Sequence, residues 1–210
     1  MGQFDLLYIA WEKIPDNLRN SFSGSSLSEL STFPSDWPEV EYISMGGSLG
    51  YQQNFIRDAP NDGYNYATVS TALITPLSRG TIDISSADMA DPPVINPNWL
   101  THPADQQVLI AGYKRVRQMF NSSAMKPILI GSEYFPGEKI QTDEEILNII
   151  KQTVSTVYHA AATCAMGRSS DMHAVVDSKA RVIGVKALRV VDASAFPFLP
   201  PGHPMATVCE

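Results

Sequence analysis

Two stretches of the chain space their apolar residues three and four positions apart, as amphipathic helices do. Pro103–Asn121 is predicted as the first helix, because apolar positions recur at that spacing and proline suits a first helical turn. A second helix is predicted to begin after Thr142, because Thr142-Asp-Glu-Glu145 has the sequence of a capping box, and to run to about Thr153. The apolar repeat of the first helix consists of Val108, Gly112, Val116 and Met119 or Phe120, and the second helix is predicted to face inward with Ile146, Ile149 and Ile150.

Alternating and β-branched residues predict short strands, most of them in the first half of the chain. The predicted strands are Val40–Met45, Thr68–Pro76, Thr81–Ser85 and Val94–Asn96. Turn-forming residues separate them, which suggests an antiparallel hairpin or meander. Residues 3–20 fit either a short strand or a short helix, and residues 21–35 are predicted as loop around a helical turn. Strands followed by helices predict an α+β fold, with an antiparallel β-sheet and helices packed on one face, as a single domain over residues 1–210.

The composition and net charge of the chain argue against some classes of binding partner. The chain has 210 residues, enough for one domain with a proper core, and a net charge of −7. That charge argues against nucleic acid or an anionic membrane as partner. A small basic group at Lys114, Arg115 and Arg117 is predicted as a solvated helix face. The N-terminus lacks the pattern of a signal peptide, and no apolar run is long enough to span a membrane, so the sequence is compatible with a cytoplasmic location but leaves the location open.

Four histidines carry most of the candidate chemistry. His159 follows Val157-Tyr158, and His203 lies in the rigid, proline-rich segment Phe196–Pro204. Taken alone, a histidine in an apolar run such as that of His159 is more often a structural residue, and His203 alone is equally compatible with a turn residue. His102 precedes Pro103 and is predicted as a capping or surface residue, and His173 as an exposed loop residue. The histidines lack metal-ligand spacing, so no metal is predicted. No Gly-x-Ser-x-Gly elbow supports serine hydrolase chemistry.

The C-terminal quarter carries a long string of motifs in a fixed order. It reads His159-Ala-Ala-Ala162-Thr-Cys-Ala-Met-Gly167, then Val175-Val-Asp177, then Arg181-Val-Ile-Gly-Val-Lys-Ala-Leu-Arg-Val-Val-Asp-Ala-Ser194, then Pro200-Pro-Gly-His203. In order and spacing this string resembles the C-terminal, substrate-binding half of the glucose–methanol–choline (GMC) oxidoreductases. The resemblance extends upstream through Pro76-Leu-Ser-Arg-Gly80 and Pro93-Val-Ile-Asn-Pro-Asn98. The usual glycine after the first histidine is Ala162 here.

The resemblance implies roles for individual residues. His159 matches the position of a general base that acts on a substrate hydroxyl at the reactive face of a flavin, and His203 matches the partner that hydrogen-bonds the same oxygen. Imidazole suits this work because it titrates near neutral pH. Asp192 matches a position that faces the flavin domain, as does the whole segment 186–210. The predicted substrate pocket is lined by Tyr158, Ala162, Tyr134 and Phe198.

A diphosphate-binding fingerprint is absent from the sequence. No Gly-x-Gly-x-x-Gly follows a strand, and the cluster Gly46-Gly-Ser-Leu-Gly50 is predicted as a loop. The resemblance places that fingerprint in an N-terminal, FAD-binding half, after which this sequence begins. No cofactor is therefore expected, and FAD would be expected only if such a half were supplied.

Three functions remain open. The one that the sequence favours is flavin-free acid/base chemistry by His159 and His203, such as an isomerisation, dehydration or cyclisation of a small organic, secondary-metabolite-like substrate. The alternative is the C-terminal half of an FAD-dependent alcohol oxidase or dehydrogenase that needs a separate FAD-binding half. A non-catalytic small-molecule binding module is the third. A homodimer is expected, because surface normally covered by a flavin domain would be exposed.

Overall fold

The structure is a computed structural model that describes residues 6–52, 54 and 57–209. Its strands are β1 (Leu6–Glu12), β2 (Val40–Gly46), β3 (Ala67–Leu73), β4 (Thr81–Asp83) and β5 (Val94–Asn96). Its helices are α1 (Asp16–Arg19), α2 (Gly24–Leu30), α3 (Pro103–Phe120), α4 (Asp143–Thr153) and α5 (Met205–Cys209), with 3₁₀ turns at Lys126–Ile128 and Ala193–Ala195. The α+β prediction is confirmed. Residues 3–5 of the predicted first segment lie outside the described residues.

The larger sheet is a three-stranded antiparallel meander in the order β1-β2-β3. β2 pairs with β3 in an unbroken register from Val40↔Leu73 to Gly46↔Ala67. Of the strands predicted to form an antiparallel hairpin or meander, β2 and β3 pair with each other, whereas β4 pairs with β5, from Thr81↔Asn96 to Asp83↔Val94, in a separate two-stranded sheet. The proline at position 76 cannot donate to a sheet ladder, and β3 ends before it.

Helix α3 packs on the larger sheet and builds the main core. Val108 of α3 and Val40 of β2 are fully buried in one apolar cluster, to which Ile14 and Tyr42 also belong. Gly112 allows the close approach, because a Cβ there would lie 2.6 Å from the Cγ2 atom of Thr71 on β3. Burial of each large apolar side chain stabilises the fold by about 1.5–3 kcal/mol. The apolar repeat predicted for α3 therefore faces the core at Val108, Gly112 and Val116, whereas Met119 is exposed.

Both long helices begin with the predicted caps. The Nδ1 atom of His102 accepts a hydrogen bond from the backbone N–H of Ala104 at 3.2 Å, so this histidine caps α3. Thr142 accepts from the backbone N–H of Glu145, and the Glu145 carboxylate accepts from the backbone N–H of Thr142. This reciprocal pair is the predicted capping box of α4.

The basic group on α3 is more than a solvated face. Arg115 pairs with Glu12 of β1 at 2.8 Å, and Arg117 pairs with Glu133 at 2.9 Å. Lys114 pairs with Asp143 at the start of α4. The sequence-based interpretation fails here because the three acidic partners lie far away along the chain, and only the fold brings them to α3.

The chain divides into two compact units, Met1–Ser78 with Trp99–Ser155 and Arg79–Asn98 with Thr156–Glu210. The first holds the larger sheet and helices α1 to α4. The second holds β4, β5 and a long C-terminal segment of turns joined by isolated bridges, among them Val176↔Val182 and Arg181↔Arg189. The prediction of a single domain over 1–210 stays a prediction. Within the described part of the chain, no helix is long and apolar enough to cross a membrane.

Candidate active site

The second unit brings His159 and His203 into direct contact. The Nε2 atom of His159 lies 3.1 Å from the Nδ1 atom of His203, within hydrogen-bonding distance. The two rings meet edge to face, with centroids 4.8 Å apart and planes at 81°. One of these two nitrogens must carry the hydrogen and the other must accept it, because a hydrogen bond needs one donor and one acceptor. His159 is half-buried and His203 is exposed, so a small molecule can reach the pair.

The segment that carries His159 is held by backbone hydrogen bonds to residues 193–195. The backbone N–H groups of Ala162, Cys164 and Met166 donate to the carbonyls of Ala193, Ser194 and Ala195 at 3.2, 2.8 and 3.0 Å. These contacts fix the stretch that follows the histidine. The position of His159 therefore depends on a stretch more than 30 residues further along the chain.

Tyr158, directly before His159, and Ala162, three residues after it, adopt a backbone conformation that non-glycine residues rarely take. Tyr158 has φ of 63° and Ala162 has φ of 68°. In this region the Cβ atom crowds the neighbouring carbonyl, which glycine avoids because it has no Cβ. The glycine of the GMC pattern at position 162 is therefore explained by the backbone angle at that position. Strained backbone of this kind is often found at functional sites.

Asp192 shapes the turn on which the His159 segment rests. Its carboxylate accepts from the backbone N–H of Ser194 at 2.8 Å and from the Ser194 hydroxyl, and so caps the 3₁₀ turn Ala193–Ala195. These hydrogen bonds, that of the hydroxyl first, lower the pKa of the Asp192 carboxyl below its ordinary value. The structure thus assigns Asp192 a local structural role. The flavin-facing role that the resemblance implies for Asp192 and for 186–210 stays a prediction.

The other predicted pocket residues divide between the two units. Tyr158 and Phe198 are in the second unit with the histidine pair, and their side chains are 84% and 62% exposed. Ala162 lies in the same unit and is half-buried. Tyr134 lies in the first unit, where it lines a cavity with Tyr51 and other residues.

Sequence reasoning missed most of the residues around Tyr134. That cavity is also lined by Gln52 and Phe135, which come from different parts of the chain. Neither residue belongs to a motif, and their contacts join positions about 80 residues apart. Only the fold reveals that these residues line one cavity. Among the described residues, no group of three or more His, Cys, Asp or Glu side chains could hold a metal ion.

The profile of the family described as GMC oxidoreductase matches residues 76–209. The chain belongs to the GMC oxidoreductases. The match includes both histidines of the candidate site and the whole motif string between them. The resemblance inferred from that string is therefore confirmed.

Relatives within the family are considerably longer than this chain. The patulin synthase of Penicillium expansum is 58% identical over 95% of the chain, which covers 32% of that protein. The versicolorin B synthase of Aspergillus parasiticus is 44% identical over 96% of the chain and 30% of its own length. An FAD-dependent oxidoreductase from Chaetomium thermophilum superposes with a TM-score of 0.69 at 26% identity, over 95% of the chain and 36% of its own. The chain thus spans about a third of the relatives it matches.

The loop after β2 and the start of helix α4 do not fit the adenosine diphosphate part of FAD. Such a site needs a glycine-rich turn that leads directly into a helix. The loop after β2 has glycines, but residues 47–52 form bends rather than the start of a helix, and the Thr68 hydroxyl bonds to the backbone of Gly47 and Leu49. Helix α4 begins with three acidic residues, which repel a diphosphate.

Proposed function

We propose that this chain carries the acid/base site of a GMC enzyme that acts on a hydroxyl group of a small organic molecule from secondary metabolism. The observation that supports this most directly is the contact between His159 and His203. The class of substrate is suggested by the relatives, two of which are synthases named for patulin and versicolorin B.

The histidine pair provides the two groups that proton transfer from a substrate hydroxyl requires, a proton acceptor and a hydrogen-bond donor to the oxygen. A hydroxyl that replaces the mutual hydrogen bond meets a ring nitrogen that accepts its proton and a ring N–H that donates to its oxygen. His159 is assigned the base, because the backbone bonds of residues 162–166 hold its segment in place. His203 is assigned the donor, and the prolines around it limit the motion of its backbone. Positioned acid/base groups of this kind accelerate reactions by about 10²–10⁴-fold.

Alcohol oxidation is the form of this chemistry that the comparisons favour. The relatives are three times longer, and one solved neighbour is an FAD-dependent oxidoreductase. FAD, when bound, accepts the hydride from the alcohol carbon. The residues of this chain deprotonate the hydroxyl and bind its oxygen. FAD would be held by a part of the protein other than the residues described here.

Flavin-free proton transfer is the second candidate. It is favoured by a different observation: two side chains of this chain, His159 and His203, form the whole contact, and its proton-transfer chemistry needs no further group. Isomerisation, dehydration or cyclisation would need only the two imidazoles and a shaped pocket. A visible spectrum after incubation with FAD and desalting separates the candidates. Retained flavin absorption supports oxidation, and a colourless protein that still converts substrate supports flavin-free chemistry.

The histidine assignment is tested by His159→Ala and His203→Ala in the longest form of the protein that can be produced. The turnover rate should fall about 10²–10⁴-fold in each variant. It is measured with a panel of aromatic and aliphatic primary alcohols, and the reduction of a dye monitors their oxidation. His173→Ala is the matched control, because His173 is exposed in a loop of the same unit. Loss of activity should come with unchanged thermal unfolding. Full activity in both variants would contradict the proposal.

A further inference from the structure

The stretch just before His159 forms a turn that the side chain of a threonine closes. The Oγ1 atom of Thr156 accepts a hydrogen bond from the backbone N–H of Tyr158 at 2.8 Å. Serine and threonine hydroxyls that bond to the backbone two residues further on stabilise compact turns of this kind. His159 follows Tyr158 directly, so the turn ends where the candidate base begins.

Tyr158 needs such a local contact because its backbone lies in the left-handed region, with φ of 63°. This conformation is costly for any residue with a Cβ atom, and it persists only where the surroundings impose it. Packing of the Tyr158 side chain cannot impose it, since that residue is 84% exposed. The hydrogen bond of its backbone N–H to Thr156 can.

Little else restrains the backbone between α4 and His159. Helix α4 ends at Thr153, and residues 155–158 are all exposed. Among the described residues, 155–158 form no hydrogen bond other than the one between Thr156 and Tyr158. The path of the chain into His159 therefore depends on this single turn.

The other side of His159 has an anchor of a different kind. There the backbone N–H groups of residues 162–166 donate to the carbonyls of residues 193–195. His159 thus lies between two anchors, and its Nε2 atom reaches the Nδ1 atom of His203 at 3.1 Å. A hydrogen bond between two rings requires both distance and direction, so a small rotation of the backbone at either anchor would break it.

Threonine suits the first anchor for a physical reason. Its β-branch restricts χ1, so that the hydroxyl of Thr156 is held toward the backbone with little further loss of rotamer freedom. A water molecule could also accept the N–H hydrogen of Tyr158. Water is not attached to the chain, however, and so it cannot fix the bend of the backbone.

We propose that Thr156 is a positioning residue of the candidate site, whose hydroxyl holds Tyr158 in the left-handed conformation and thereby directs the His159 ring to His203. Thr156 acts through His159 and takes no part in proton transfer. Its effect on turnover rests on the proposed function, whereas its effect on the direction of the His159 ring does not.

Thr156→Val and Thr156→Ser test the proposal in the longest form of the protein that can be produced. Valine keeps the β-branch and removes the hydroxyl, and serine keeps the hydroxyl. In the alcohol assay, kcat of Thr156→Val should fall about 10–100-fold with KM little changed, because misplacement of a catalytic group by about 1 Å has an effect of this order. Thr156→Ser should keep most of the original kcat.

Ser155→Ala is the matched control. It removes the neighbouring hydroxyl, which is exposed and forms no hydrogen bond within the described part of the chain. Its kcat should be unchanged. Thermal unfolding verifies that each variant is folded.

Crystal structures of the three variants give a measurement that does not depend on turnover. In Thr156→Val the distance between Nε2 of His159 and Nδ1 of His203 should lengthen beyond hydrogen-bonding range. In Thr156→Ser and Ser155→Ala it should stay near 3.1 Å. A residue that only stabilised the fold would not change this distance.

A longer distance and a lower kcat in Thr156→Val alone support the positioning role. An unchanged distance in Thr156→Val, or an equal effect of Thr156→Ser, overturns it. A longer distance with unchanged kcat also overturns it if His159→Ala is inactive. If His159→Ala keeps full activity, the proposed function fails, and the distance alone decides the role of Thr156.

Discussion

At the scale of single residues, the histidine pair shows what a motif can predict. The two positions lie 44 residues apart, and the family pattern alone suggested that they meet. Their contact at 3.1 Å agrees with that expectation. Their catalytic roles stay a prediction, since a hydrogen bond between two imidazoles is also compatible with a purely structural role.

Ala162 is the residue at which sequence and backbone conflict most clearly. Its φ of 68° is costly for alanine and not for glycine. Ala162→Gly should therefore stabilise the protein by about 0.5–1 kcal/mol, measured as the free energy of unfolding in urea.

Ala161→Gly is the matched control for that substitution. Ala161 is the adjacent alanine and is not among the residues with positive φ. Glycine there should destabilise by about 0.5–1 kcal/mol, because it only adds freedom to the unfolded chain. Equal effects of the two substitutions would show that the positive φ at position 162 carries little strain.

At the scale of elements, helices were easier to predict than strands. The boundaries of α3 and α4 followed from local signals, namely apolar spacing, a proline in the first turn and a capping box. The run Leu188–Val191 has the composition of a strand, yet it forms only isolated bridges such as Arg181↔Arg189. Strands need partners, and whether a partner is in reach is decided by the fold.

The turn after Val176 depends on one carboxylate. Asp177 accepts from the backbone N–H groups of Lys179 and Arg181 and from the Arg181 side chain at 2.8 Å. These interactions, that of the Arg181 side chain first, lower the pKa of Asp177 from 3.8 to about 2. A depressed pKa means that the stabilisation is complete above pH 4 and is lost as the pH falls toward 2.

That pH dependence is measurable. The carboxyl carbon of Asp177 should titrate by NMR with a midpoint near pH 2, and in Arg181→Gln the midpoint should move toward the ordinary value. Arg168→Gln serves as the control, since Arg168 is an exposed arginine in the same unit. A midpoint that is unchanged in Arg181→Gln would contradict the assigned cause.

At the scale of the whole molecule, the second unit exposes many large apolar side chains to solvent. The most exposed large apolar side chains there include Ile84, Met89, Tyr158, Met172 and Val191, all at 80% or more. Apolar residues exposed in such number promote association. The chain should therefore self-associate in solution, and light scattering across a concentration series should detect dimers.

The introduction of a single negative charge tests which surface mediates the self-association. Val191→Glu should shift the equilibrium toward monomer, because association would bury an unpaired carboxylate. Ser169→Glu adds the same charge at an exposed polar position and should leave the equilibrium unchanged. A monomer at every concentration would contradict the prediction of a homodimer.

The amino-acid sequence by itself determined the family, the long helices with their caps, and the choice of the two histidines as candidate site residues, because these features depend on local patterns and ordered motifs. Only the tertiary structure decided the ion pairs of α3, the pairing of β4 with β5, and the cavity around Gln52 and Tyr134. Each of these joins residues that are distant along the chain and belong to no motif. Which of them meet depends on packing, and packing is a property of the whole fold rather than of any stretch within it.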